Sequence, residues 1–224
     1  MRRLPLLFCL LPAALGAQTV SDVDLDHVIL AARRLPHGME SFARLTGVQP
    51  KPGGQHPGRG TENALVSLGG GHYLEILSPI TPPPDSVKGP ADLTPFGWAL
   101  HTRDLDALLP RLRAAGFQPS GPTPGSRLTP DSTLLQWRTA AVAGAGLELA
   151  PFFIEWSKTT AHPSTTSPTG CTLAALELRV PDPARFRALF AAVGFSIDVK
   201  TGSPRTLRLT LDCPNGRVTF PPSS

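Results

Sequence analysis

Aromatic side chains are scarce in this chain of 224 residues, 6% in all, so any core must be mainly aliphatic. The hydrophobic fraction of 41% is enough to build one. Charge is modest too. The net charge is +4, and Arg2 and Arg3 supply two of those charges at the extreme N-terminus. What remains is too weak and too scattered for a nucleic-acid surface. The apolar stretch from Leu4 to Leu15 is too short to cross a bilayer, and Pro12 interrupts it, so stable membrane insertion is not expected. There is no P-loop, no GxGxxG following a strand and no nucleophile elbow, which leaves no local signal for a phosphate cradle, a dinucleotide or Ser/His/Asp catalysis. Only three cysteines occur, without a CxxC pair or Cys/His spacing for structural zinc.

Proline and glycine are plentiful, 26 and 21, and imply many turns. The first residues, MRRLPLLFCLLPAALGAQ, place two arginines before an apolar stretch that ends in Gly16 and Ala17. That is the layout of a secretory signal peptide over residues 1–17, and an exported, periplasmic or secreted, protein is expected. A misassigned start codon would instead leave a cytoplasmic domain. After cleavage Cys171 and Cys213 remain. An oxidising compartment permits a disulfide between them, and two buried thiols are the other reading.

A unit recurs along the chain. LDHVILAARRL (25–35) opens as a strand, GMESFARLTGV (38–48) has helical spacing with Gly47 as its stop, KPGGQHPGRGT (51–61) reads as a loop, and NALVSLGGGHYLEIL (63–77) as a hairpin. After a Pro-rich linker the order returns: FGWALHTRDL (96–105) a strand, DALLPRLRAAGF (106–117) a helix with Pro110 tolerable only in its first turn, then a hairpin from STLLQWRTAAV (132–142) and GLELAPFFIEW (146–156). A third, shortened copy has a strand at 172–180, a helix at 182–195 capped by Asp182, and a hairpin over 205–220 turning at Asn215-Gly216. Such self-similarity outweighs any single motif.

Strand alternation then gives two polar residues a meaning. In DHVIL, Val28 and Leu30 share one face, and His27 and Ile29 the other; in HYLEIL, Leu74 and Ile76 share one face, and Tyr73, Glu75 and Leu77 the other. If the apolar faces pack on the helix and the strands are neighbours, His27 and Glu75 converge. Reading the second unit in the same register puts Trp98 at the place of His27 and Glu155 at that of Glu75, with His101 on the opposite face.

LDHVIL, the PGGQHPGRGTENALVSLG segment, YLEIL and FFIEW resemble the glyoxalase-like domain family of the vicinal oxygen chelate superfamily, over roughly residues 24 to 220. The resemblance implies an α+β fold of paired βαβββ modules, residues 24–156, whose mixed sheet curls around a cavity, with a partial third module at 171–220. It implies a divalent metal held by His27, Glu75 and Glu155, although Trp98 departs from the four-ligand pattern. Such an ion would polarise a carbonyl or stabilise an enediolate; the competing reading is that these residues only hydrogen-bond inside a polar cavity. His56 lies in a Gly-rich loop placed to cover the mouth, as acid/base, extra ligand or idle loop residue. Glu75 and His56 are the candidate catalytic groups. Asn63, Arg127, Gln136 and Arg138 are the candidate substrate contacts, the arginines as bidentate partners of a carboxylate or phosphate. His37, His72 and His162 receive no role. The expected function is a glyoxalase-type lyase, isomerase or dioxygenase acting on a small oxygenated molecule, with a non-catalytic ligand-binding protein as the alternative. A homodimer is left open.

Overall fold

A computed structural model describes residues 22–84, 86, 89 and 91–220. The expected signal peptide lies outside the described residues. The first unit is β1 (Val23–Ala31), α1 (Leu35–Thr46), β2 (Lys51–His56), β3 (Thr61–Gly69) and β4 (His72–Pro79). The second is β5 (Thr94–Thr102), α2 (Leu105–Ala114), β6 (Pro119–Leu128), β7 (Leu134–Val142) and β8 (Phe152–Trp156). Their strands form one eight-stranded mixed sheet in the order β2-β3-β4-β1-β5-β8-β7-β6. The order is symmetric about the central antiparallel pair β1–β5, and in each unit the first strand lies parallel to the last, β1 to β4 and β5 to β8.

Helices α1 and α2 and the core they cover lie on one side of this sheet. On β1 the fully buried Val28 and Leu30 face the core, as alternation requires, beside Leu74 and Ile76 of β4 and Phe42 of α1. α1 starts three residues earlier than its periodicity suggests, because Pro36 suits a first helical turn, and it ends at Gly47 (φ 78°), whose N–H bonds back to Ala43. α2 is capped by Asp104, which accepts from the Ala107 N–H. Pro110 therefore falls inside the helix and not in its first turn; burial of Leu105, Leu108, Leu109 and Leu112 outweighs the lost backbone bond.

One strand runs where a loop was expected and another where no element was assigned. KPGGQH is β2, and residues 119–128, rich in Pro and Gly, are β6. Both are edge strands with register shifts, the setting in which a sheet tolerates such residues. The sheet curls until these edges touch, and the buried Arg127 side chain of β6 donates to the Gly53 carbonyl of β2. The glycines permit this approach. A β-carbon on Gly53 would collide with the Asn63 side-chain oxygen, and one on Gly54 (φ 117°) with the Leu128 carbonyl.

After the short helix α3 (Pro163–Thr166), the last segment is β9 (Thr172–Val180), α4 (Pro183–Val193), β10 (Asp198–Thr201), β11 (Thr206–Cys213) and β12 (Gly216–Phe220). It repeats the order of elements but pairs them differently, as a separate four-stranded sheet β10-β9-β11-β12. Its last hairpin turns at Pro214-Asn215, one residue earlier than expected, since Cys213 pairs with Gly216. The segment covers the helix side of the large sheet: Phe190 and Phe195 pack on Trp98, and Phe220 stacks on Phe42. Cys171 and Cys213 form a disulfide across 42 residues of chain, tying the approach to β9 to the end of β11. Replacing Cys171 with Ser is expected to lower the unfolding free energy by about 2–4 kcal/mol, read from urea melts under oxidising conditions. A melt unchanged from wild type, in which reductant also has no effect, would contradict it.

Candidate functional site

The concave face of the large sheet encloses a cavity of about 160 Å³. Its wall includes His27 and Ile29 of β1, Tyr73, Glu75 and Leu77 of β4, Asn63 of β3, His56 of β2 and Arg127 of β6. β1 and β4 are neighbours, with Ile29 opposite Glu75, and this brings the imidazole and the carboxylate together. His27 Nε2 lies 3.6 Å from Glu75 Oε2, and His56 Nε2 lies 3.8 Å from Glu75 Oε1. Both gaps are too long for a direct hydrogen bond. They leave room for an atom of a ligand to be shared between an imidazole and the carboxylate. Asn63 Nδ2 donates to Glu75 Oε1 at 2.6 Å and fixes its orientation. Asn63 Oδ1 is buried with no hydrogen-bond partner among the described residues, a cost borne at a position that delivers the amide N–H to the carboxylate.

Three of the expected site residues are elsewhere. β8 turns Phe152, Ile154 and Trp156 toward the cavity, so Glu155 between them faces the helix side. There it accepts from Arg138 Nη2 at 2.7 Å and from the Leu105 N–H at 2.9 Å, at the start of α2. Arg138 also reaches Asp106 at 3.0 Å. β7 likewise presents Trp137 and Thr139 to the cavity, so Gln136 and Arg138 point outward. The second unit is thus read one residue out of register in the sequence. Trp98 pairs with Val28 on the core side, and the residue opposite His27 is Ala99.

The residue that sequence alternation misses is Asp26. It sits at a bulge in the β1–β5 pairing, between Leu25 and His27, and is 1% exposed. A bulge re-aims its side chain. Its carboxylate accepts from His27 Nδ1 at 2.6 Å, from Trp156 Nε1 at 2.9 Å and from His162 Nε2 at 3.1 Å. Burial opposes the charge of Asp26, but the hydrogen bonds from His162 and His27 outweigh it and hold the carboxyl well below the usual carboxylate range. His162, given no role by the sequence, accepts from the Ser164 N–H through Nδ1, which leaves its Nε2–H for Asp26. With Nδ1 of His27 committed to Asp26, its Nε2 is the atom presented to the cavity. His27 is stacked on Tyr73, with ring centroids 4.6 Å apart. Burial, with Asp26 and Glu75 nearby, pushes the Tyr73 phenol well up, so it stays protonated.

Two further groups set the electrostatics. Burial pushes the His56 imidazole down, Glu75 opposing, so it is neutral at pH 7. Arg127 is 3% exposed and has no carboxylate within ion-pair distance among the described residues. Burial lowers its affinity for the proton, against the pull of Tyr73 and Glu75, yet a guanidinium remains charged. The wall therefore offers a held carboxylate, two imidazoles and two guanidiniums, the buried Arg127 and Arg59.

This arrangement does not fit the expected metal. Glu155, the third ligand, is on the other side of the sheet and neutralised there. Among the described residues no group of three or more His, Cys, Asp or Glu side chains is placed to hold an ion. A guanidinium stands in the same wall.

The glyoxalase-like domain profile matches residues 25–194. This chain belongs to the glyoxalase-like domain family. No curated protein matches it in sequence. Among solved structures, a hypothetical protein from Staphylococcus aureus is 17% identical, with 88% of this chain and 84% of that one covered and a TM-score of 0.58. At that identity the likeness is one of fold, and it extends over most of the chain. Methylmalonyl-CoA epimerase from Mycobacterium tuberculosis is 20% identical over 59% of this chain and 87% of that one, with a TM-score of 0.45. A Streptomyces coelicolor methylmalonyl-CoA epimerase is 17% identical over 58% and 95%, with a TM-score of 0.43. A cavity with acid–base groups in this family belongs to an enzyme or a binder of small molecules.

Two consequences are measurable. Asp26→Ala is expected to destabilise the fold by about 3–5 kcal/mol, because it strands buried donors, and calorimetry reads the loss. For His56 the folded imidazole binds its proton more weakly than the usual value of 6.5. The unfolded chain thus takes up more protons, and stability is lost as pH falls through about 6.5. His56→Gln should therefore show a shallower decline in melting temperature between pH 8 and pH 5 than wild type; identical slopes would refute this.

Proposed function

We propose that the protein is an enzyme that moves a proton beside the carbonyl of a small oxygenated molecule, with Glu75 as the base. The supporting observation is the position of the Glu75 carboxylate. It is nearly buried, fixed by Asn63, and flanked by His27 Nε2 and His56 Nε2 at distances that admit a ligand atom. A Glu75 oxygen removes the C–H proton next to the carbonyl; the electron pair of that bond becomes the new C=C bond, and the π pair of the carbonyl moves onto its oxygen. The Arg127 guanidinium supplies the positive charge for the resulting enolate. Glu75 returns the proton to carbon, which restores the C–H bond and the carbonyl and leaves the protein unchanged; where an imidazole protonates the carbon instead, the proton held by Glu75 passes to that imidazole to close the cycle. Isomerisation, epimerisation and eliminative cleavage all begin with this step.

Residues of the chain divide the roles. His27, oriented by Asp26, presents Nε2 to the ligand; His56, neutral, is the second acid/base group. The metal-dependent lyase chemistry expected from the family stays outside this reading, because Glu155, the third expected ligand, lies on the other side of the sheet from His27 and Glu75. Operation in an oxidising compartment, periplasmic or extracellular, is part of the same proposal, supported by the Cys171–Cys213 bridge.

The test is exchange of carbon-bound hydrogen. In D2O, the protein should accelerate loss of the C3 proton signal of 2-oxobutanoate in NMR spectra. Glu75→Gln should reduce that rate at least about a hundredfold, the scale of a general base. Glu155→Gln, on the far side of the sheet, should retain it. Saturable binding of the acid without exchange would instead identify a ligand-binding protein, and an active Glu75→Gln variant would remove Glu75 from its role.

A further inference from the structure

The cavity over Glu75 is small. Its volume of about 160 Å³ is below the ~300–1,000 Å³ usual for small-molecule sites. Beside it lies a second cleft of about 350 Å³, and Thr61 and Leu77 line both. The chemistry changes across that boundary. The cleft is bounded mainly by aliphatic and aromatic groups, Ala31, Leu77, Pro79, Pro83 and Phe96. Together the two spaces reach the usual size.

Phe96 is the informative residue. Ile29 pairs with Gly97 and Leu30 with Pro95, so Phe96 is the extra residue of a bulge in β5. A bulge re-aims a side chain, and here a phenyl ring stands 42% exposed at the cleft instead of packing in the core. The opposite wall is held in place. Arg33 Nη2 donates to the Pro84 carbonyl at 3.0 Å and the Pro83 carbonyl at 3.4 Å, and the Arg33 N–H donates to Asp92 at 2.8 Å. Pro83, Pro84 and Asp92 of the Pro-rich stretch are thereby fastened to Arg33 beside the cleft.

We infer that the substrate is amphiphilic: a carbonyl acid whose polar head sits between Glu75 and Arg127, and whose linear alkyl chain runs past Thr61 and Leu77 into the cleft under Phe96. This rests on the proton-transfer reading for the head. The tail is a separate claim, carried by the two residues, Thr61 and Leu77, that line both spaces and by the apolar lining of the second.

The experiment is a chain-length series of 2-oxo acids, from pyruvate through 2-oxobutanoate and 2-oxohexanoate to 2-oxooctanoate, titrated calorimetrically against the full protein, with octanoate as the head-group control. The dissociation constant should fall about two- to fourfold per added methylene, the gain from moving a methylene out of water. Phe96→Ser, an exposed position whose melting temperature should match wild type, should flatten the series. Octanoate should bind more weakly than 2-oxooctanoate. A flat series in wild type, with pyruvate binding as tightly as 2-oxooctanoate, overturns the tail and leaves the head reading intact. A steep series in which octanoate equals 2-oxooctanoate supports the tail cleft and counts against the proton-transfer head alone. Absence of binding at every length overturns the inference.

Discussion

One buried carboxylate holds the site together. Asp26 gathers donors from His27 beside it, from Trp156 on β8 and from His162 at the start of α3, 130 and 136 residues away in the chain. Each hydrogen bond to a charged acceptor contributes about 1.5–3 kcal/mol. Without them the burial of this charge would be prohibitive. With them, three separate segments are drawn to one point, and the imidazole at the cavity wall has one nitrogen committed and one exposed to ligand. The chemistry proposed for Glu75 depends on that commitment.

The second constraint is closure. An open eight-stranded sheet would leave Glu75 facing solvent. Here the two edge strands meet through Arg127 and Gly53, and the paired glycines of β2 allow the backbones close enough. The same contact that shuts the cavity places one of its two guanidiniums. Arg127 thus serves both closure and charge, with Arg59 of the first unit as a second guanidinium in the lining, and the site draws on both units although its acid–base groups come from the first.

The two units of the large sheet are equal in topology and unequal in chemistry. The first provides His27, His56, Asn63 and Glu75; the second provides the aromatic wall of Trp137, Phe152 and Trp156, with Arg127 at the edge. Glu155, the acid that resembles Glu75 in sequence, stabilises the start of α2 and the Arg138 side chain. The third segment contributes nothing to the cavity lining; it buries the helix side, where Trp98 sits beneath Phe190 and Phe195. The division fits a scaffold whose concave face is free to specialise while its convex face carries the packing.

Local pattern in the amino-acid sequence determined the α+β class, the repeated order of elements, the helix stop at Gly47, and the facing of His27 and Glu75, because alternation and backbone conformation act over a few residues. Tertiary structure decided what depends on partners distant in sequence. Proline and glycine become strands β2 and β6 only at a sheet edge, where an unpaired N–H costs little. A one-residue change of register in β8 moves Glu155 to the opposite face, and composition carries no mark of it. A bulge at Asp26 turns an acid into the hub of the site, and its reason is a tryptophan and a histidine that the chain delivers more than a hundred residues later.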